Sequence, residues 1–335
     1  MYDKLASSWV SKFVGWAAAL LILFMPFYVE NQYYLRVMMM IGIFALLGLG
    51  LNFLFGYTGQ ISLGHAAFYA FGAYGSAILE TKLGVPFLAA WVITLLFTGL
   101  VAYAMSVPIL KLKGHYLAMA TIGFGLIIES ILSQWVSVTG GHDGITLLTV
   151  NILGPWLSQN LYYFIVGSAM IALWMLNNIT RSSVGRAHQA LRDDEDAAEA
   201  LGIPVKNYKV NAFVLSAVLA ALAGIWYVHL SMVITPEVFN LSVSIQILMM
   251  VVVGGMGSNY GAVLGAVFLI ALPEFLYEFK DANIFIYGLI VLIVLLFFPK
   301  GLIGMVEAVL RPVGRLFKGE DKQNSFGQLE GKRGV

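Results

Sequence analysis

Cysteine is absent from all 335 residues, which excludes a disulfide framework, a thiolate metal site and a cysteine nucleophile. Charge is nearly as scarce. Only 11% of residues are charged and the net charge is +1, so nothing electrostatic points to nucleic acid as a partner. Catalytic signatures are missing as well: there is no G-x-S-x-G elbow, no H-E-x-x-H and no cluster of metal ligands, and His115 and His142 fall in different loops. The chain also lacks the G-x-x-x-x-G-K-[ST] loop that cradles nucleotide phosphates. The sequence therefore argues against an enzyme or a metal centre, and energy for any work must come from another polypeptide or an ion gradient.

What the chain has in abundance is apolar surface. Sixty per cent of its residues are hydrophobic, which places it in the polytopic membrane class with lipid as its surroundings. A crossing needs about 20 apolar residues. Ten segments qualify, near 13–29, 36–55, 65–80, 86–110, 116–138, 161–178, 210–230, 243–254, 261–277 and 284–298. The expected fold is an all-α polytopic transmembrane helix bundle with broken or re-entrant segments. Lys4 and Lys12 ahead of the first run resemble a signal peptide, but no small-x-small site follows at Pro26 to Asn31, so it reads as an uncleaved span. Placing both termini in the cytoplasm puts all but Arg36, Lys82 and Lys280 of the 19 Lys and Arg residues on that side, as the positive-inside rule requires. Residues 311–335 read as a disordered cytoplasmic tail, leaving 1–310 as one membrane domain.

Two stretches interrupt the apolar pattern. In GYTGQISLGHAAFYAFGAYG, Gly56, Gly59 and Gly64 flank Thr58, Gln60, Ser62 and His65, and irregular backbone at membrane depth survives only where protein buries it or a wet cavity borders it. His65, Tyr69, Gly72 and Ser76 then share one helix face. This makes Gln60, Ser62, His65, Tyr69 and Ser76 candidates for lining a path; alternatively His65 only satisfies a neighbouring backbone group. The second interruption is GGMGSNYG, with Gly254, Gly255, Gly257 and Gly261, after an unusually short span. Gly257, Gly261 and Gly265 also fit the small-xxx-small pattern of close helix packing. Glu129, near the middle of the fifth span, is a further path candidate, because a buried carboxylate must pair, protonate or face water; Gln134 or a backbone group is a possible partner. TGGHDG, at Thr139 to Gly144, reads as an external docking or gate element or an ordinary turn.

Between 180 and 209 lies a long polar loop. Asp193 or Asp194 can cap a helix with Glu195 and Asp196 in its first turn, while Gly202 and Pro204 end it. Ala197, Ala198 and Leu201 form its small apolar face. A helix of about two turns is unstable alone, so it needs something to dock against, and a groove on a motor subunit suits it better than a solvated loop does.

GYTGQISLGHAAFYAFGAY, LKGHYLAMATIGFG, TGGHDGI, GRAHQALRDDEDAAEALGI with YKVNAFVLSAVLAALAG, and SIQILMMVVVGGMGSNYGAVLGA resemble, in order, the successive blocks of the branched-chain amino acid ABC transporter permease family, M-type subunits above all. The resemblance implies a permease subunit of an importer in the bacterial inner membrane. It implies a second homologous permease subunit, two cytoplasmic ATPase subunits that bind the ATP, and an external substrate-binding protein, with no cofactor in this chain. It identifies Gly185 to Gly202, with Arg192, Asp193, Glu195, Ala197, Ala198, Leu201 and Gly202, as the segment coupled to the ATPase. The family often has Glu, two apolar residues and Arg after the GFG, where this chain has Leu126 and Glu129. Urea and short-amide permeases share nearly all these blocks and remain an alternative, as does an ion-coupled transporter or channel using Glu129 and His65.

Overall fold

The computed structural model describes residues 25, 26, 28, 31–112, 114–147, 160–276, 278 and 282–305. Most of the expected first span and all of the tail at 311–335 lie outside the described residues. Helices occupy each of the other nine expected spans. They are α1 (Gln32–Leu51), α2 (His65–Thr81), α3 (Phe87–Ile109), α4 (His115–Gln134), α5 (Leu161–Arg181), α8 (Val205–Ser231), α9 (Leu241–Gly254), α10 (Asn259–Phe275) and α11 (Asn283–Phe297). Two short helices that do not span, α6 (Ser183–Asp193) and α7 (Glu195–Ala200), stand between α5 and α8. A helix satisfies its own backbone groups, which is what a hydrocarbon environment demands of a spanning segment. Among the described residues, six helical stretches are long and apolar enough to cross a membrane by length and composition.

Among the described residues the β structure is one two-residue pairing. β1 (Ile145–Thr146) runs antiparallel to β2 (Val233–Ile234), with Ile145 opposite Ile234. This pairing fastens the TGGHDG turn to the chain just after α8. Gly144 (φ +73°) fits there because a Cβ would overlap the Ile234 carbonyl.

Burial separates inner helices from outer ones. In the most apolar windows of α1 and α8, 72% and 67% of residues are buried, against 22% in α3, α4 and α5. α8 packs on α1, α2 and α3, while α10 joins α9 to α1. The outer face of α3 carries Leu88, Val92, Leu96 and Leu100, all exposed and four residues apart, a ridge suited to lipid.

Glycine sets the closeness of the inner contacts. A Cβ on Gly72 of α2 would overlap the carbonyl of Ala221 on α8, and one on Gly224 would overlap the carbonyl of Tyr69. The same holds between α9 and α10, where a Cβ on Gly254 would overlap the Gly261 carbonyl and one on Gly265 the Met250 carbonyl. Lipid tails are as apolar as leucine, so such close approach, rather than exclusion from water, supplies the attraction between membrane helices. The glycine series after α9 therefore serves packing at Gly261 and Gly265.

Candidate functional site

The last turns of α1 widen into a π-helix over Asn52–Tyr57, and Thr58 turns its hydroxyl back to the Leu54 carbonyl. π-Turns are uncommon and cluster at functional positions. Asn52 is fully buried at the start of this turn, where its amide can reach a neighbouring helix. It accepts from Gly257 N–H at 2.9 Å through Oδ1 and donates through Nδ2 to Asn259 Oδ1 at 3.2 Å. Asn259 in turn donates to Asn177 Oδ1 on α5 at 2.9 Å. The two interruptions of the sequence thus meet. A Cβ on Gly56 would lie 2.5 Å from Gly257 N, so the backbones touch at that point. Gly59, Gly255 and Gly257 have φ of +71°, +121° and +75°, conformations that need glycine. Gly64 abuts the Thr121 carbonyl of α4, and Leu63 N–H donates to Thr121 Oγ1 at 3.0 Å.

Helices α6 and α7 stand beside this junction. α7 is capped by Asp194, whose Oδ1 accepts from the N–H groups of Asp196 and Ala197 at 3.0 Å each. Its end is closed by Ile203 N–H to the Ala198 carbonyl (3.1 Å) and Gly202 N–H to the Glu199 carbonyl (2.9 Å), with Gly202 at φ +82°. Glu195 pairs with Lys209 of α8 at 2.6 Å. Of the three apolar residues placed on one face from the sequence, only Ala198 is buried, packed with Leu191 and Val205 of its own chain. Ala197 and Leu201 point outward, and Leu201 is 81% exposed. The hairpin uses its inner side to hold itself to the bundle and presents Leu201 away from it.

The sequence gives no forewarning of α6, which carries two contacts to the π-turn four residues apart. His188 is buried between Phe53 and Tyr208, with ring centroids 5.0 and 5.1 Å away, both edge-on. Burial lowers its pKa to about 4, so the ring is neutral at physiological pH. Arg192 donates from Nη1 to the Gly56 carbonyl at 2.8 Å, while Nε and Nη2 contact Asp193 Oδ1 at 3.3 and 3.2 Å.

The remaining candidates divide. Gln60, Ser62 and His65 are buried at the break, each with a side-chain atom lacking a hydrogen-bond partner among the described residues: Gln60 Oε1, Ser62 Oγ and His65 Nδ1. Gln60 Nε2 donates to Thr58 Oγ1 at 3.0 Å. His65 Nε2 lies 3.2 Å from Ser216 Oγ, and Ser216 donates to the Gly50 carbonyl at 2.7 Å. Tyr69 is wedged against Tyr227 and Phe239, and Ser76 donates back to the Gly72 carbonyl of its own helix at 2.9 Å. Glu129 is half-buried on the flank of α4, beside exposed Leu126, Ile127 and Ser130. Gln134, considered as its partner, donates instead to Ser130 at 2.9 Å.

A buried acid-base pair was missed from the sequence. Glu80 near the end of α2 and His229 near the end of α8 are 149 residues apart, yet their Oε2 and Nε2 lie 3.1 Å from each other in the interior. His229 Nδ1 also lies 2.6 Å from the Ile225 carbonyl, an acceptor to which Nδ1 must donate. Neither residue falls in a motif, so only their isolated polarity in apolar runs could have drawn notice. Glu80→Leu leaves the buried Nε2 unpaired and is expected to destabilise by about 1–3 kcal/mol. Glu80→Gln, whose amide can pair with Nε2 as donor or acceptor, should lose clearly less; thermal unfolding midpoints of the two variants in detergent check the order.

Comparison with known proteins agrees with this architecture. Residues 33–298 match the family described as the branched-chain amino acid transport system permease component. The chain is 31% identical over 304 residues to the high-affinity branched-chain amino acid transport system permease protein LivM of Escherichia coli (strain K12), covering 83% of this chain and 72% of that one. It is 26% identical over 296 residues to the corresponding permease protein LivH of Salmonella typhimurium, covering 79% and 92%. With BraD of Pseudomonas aeruginosa it shares 29% over 289 residues, covering 79% and 92%. The family match over nearly all the described helices, together with the higher identity to LivM, places this multi-pass inner-membrane chain in the branched-chain amino acid transport permease family, on its M-type side.

Proposed function

We propose that this chain is one of two homologous membrane subunits of an ATP-driven importer for leucine, isoleucine, valine or closely similar amino acids. Two cytoplasmic ATPase subunits bind the ATP, and an external binding protein delivers the substrate. The observation that carries the reading is the capped α6–α7 hairpin, which is anchored to the bundle by Ala198 and Glu195 and presents an exposed leucine outward. A self-contained transporter has no use for such a dock. The face bearing this hairpin is then cytoplasmic.

Within the bundle the path reading narrows to Gln60, Ser62, His65 and Tyr69, each of which has one buried polar atom without a hydrogen-bond partner among the described residues. Buried polar groups are ordinarily satisfied, so a stretch with four such atoms suits a route for water or a zwitterion. Ser76, whose hydroxyl is satisfied by its own helix, serves the α2–α8 packing on this reading, and Glu129 stays outside the path. The test is uptake of radiolabelled leucine into vesicles holding the assembled importer, with urea as competitor. The expected result is ATP-dependent leucine uptake that excess isoleucine suppresses and excess urea does not. Uptake by this chain alone, driven by a pH gradient, would sink the proposal.

A further inference from the structure

We infer that Arg192 is the joint through which the α6–α7 hairpin is tied to both broken segments at once, and that it transmits movement of the hairpin to them as a unit. The inference rests on the reading of that hairpin as the motor dock. It starts from one side chain that bonds one glycine and lies beside two others. Nη1 of Arg192 donates to the Gly56 carbonyl at 2.8 Å. The same Nη1 would stand 3.1 Å from a Cβ on Gly257, and Arg192 Cγ would stand 3.2 Å from a Cβ on Gly59. The arginine stem thus crosses the first break, and its head lies against the second.

The breaks are joined to each other beneath it. Asn52 Oδ1 holds the Gly257 N–H, Asn52 Nδ2 reaches Asn259, and Asn259 reaches Asn177 on α5. Asn52 and Asn259 are both buried, so this chain of amides is costly to open. A pull on Gly56 therefore does not stop at α1. It is carried to the loop before α10 and to the end of α5. His188, one turn before Arg192, is wedged between Phe53 and Tyr208, which fixes the lateral position of α6 and leaves the arginine to bear the link to the break.

A guanidinium suits this position for a physical reason. It is always charged, its planar fork offers several donors, and its hydrogen bond to a carbonyl is charge-assisted. The carbonyl it takes is one that the end of a π-turn leaves without a helical partner. Asp193 holds the other edge of the fork through Nε and Nη2, orienting Nη1 toward Gly56. Arg192 acts through Gly56 and Gly257, so it is a positioning residue.

The experiment uses the complete importer reconstituted in vesicles with leucine as the probe, and reads leucine transported per ATP hydrolysed. Arg192→Met keeps the stem but removes the donors. Its transport-to-hydrolysis ratio is expected to fall by about tenfold, the scale of a typical coupling between sites. Arg192→Lys, which keeps the charge and N–H donors but not the planar fork, should recover part of the loss. A structural role alone would reduce the amount of assembled complex without changing this ratio. If Arg192→Met does not assemble, Arg192→Lys carries the test, and a wild-type ratio in it overturns the inference. A wild-type ratio in assembled Arg192→Met overturns it as well. Failure of the underlying dock reading looks different: a single cysteine at Leu201 in this cysteine-free chain would not cross-link to an ATPase subunit, and the inference would fall with it.

Discussion

Leu201→Asp is expected to abolish substrate-stimulated ATP hydrolysis by the assembled importer, with at least about a tenfold loss, while leaving the fold of this chain intact. Leu201 is 81% exposed, so the charge costs nothing in the isolated subunit. In a docked groove the same carboxylate would be desolvated without a partner, which costs about 2 kcal/mol or more. The neighbouring Ala198 provides the contrast. It is buried against Leu191 and Val205, so Ala198→Trp unseats α7 from its own bundle. Both variants lose stimulation, but only Ala198→Trp should speed trypsin cleavage at Arg192 and Lys206, which flank α7. Equal protease resistance in the two would mean that Ala198 does not anchor the helix. Stimulation preserved in Leu201→Asp would mean that this surface does not face the motor.

Gly72→Ala is expected to cost this chain more stability than any other single methyl group added to α2. The added Cβ overlaps the Ala221 carbonyl, and the Cα of the same residue would be 2.6 Å away. These are backbone atoms, which cannot rotate aside, so α2 and α8 must separate. Overpacking of this kind costs about 1–3 kcal/mol where side chains can give, and more where they cannot. The separation would also pull Gly224 from the Tyr69 carbonyl, because the two glycines face each other across one contact. Gly123→Ala on α4 is the control, since nothing lies within 4 Å of its Cβ position and alanine is the better helix former. Unfolding midpoints followed by tryptophan fluorescence in detergent should show a drop of several degrees for Gly72→Ala and none for Gly123→Ala.

The outline of the bundle was legible before any coordinates. A run of about twenty apolar residues has few alternatives to a spanning helix, and helices stand at all nine expected spans from 36–55 onward. The start and stop of α7 were also readable, because an aspartate cap and a glycine followed by proline act within a few residues of backbone. The orientation of α7 was not readable. Ala197, Ala198 and Leu201 are all small or apolar, and only the approach of Leu191 and Val205 decides that Ala198 turns inward.

The inner and outer helices could not be told apart for a related reason. In a soluble protein a polar face marks the outside, but here lipid and core prefer the same residues, so α3 and α8 look alike in composition while differing threefold in burial. The clue that was present, the small residues of SAVLAALAG in α8, becomes informative only beside Gly72.

By itself, then, the sequence determined the membrane class, the nine spans from 36–55 onward, the two glycine interruptions and the capped helix of the loop, because each follows from local composition and hydrogen-bonding need. Only the tertiary structure decided that the two interruptions touch, that Arg192 bridges them, and that Glu80 finds His229. Those contacts join residues from 136 to 205 positions apart, and hydrogen bonds over such separations depend on how the helices pack.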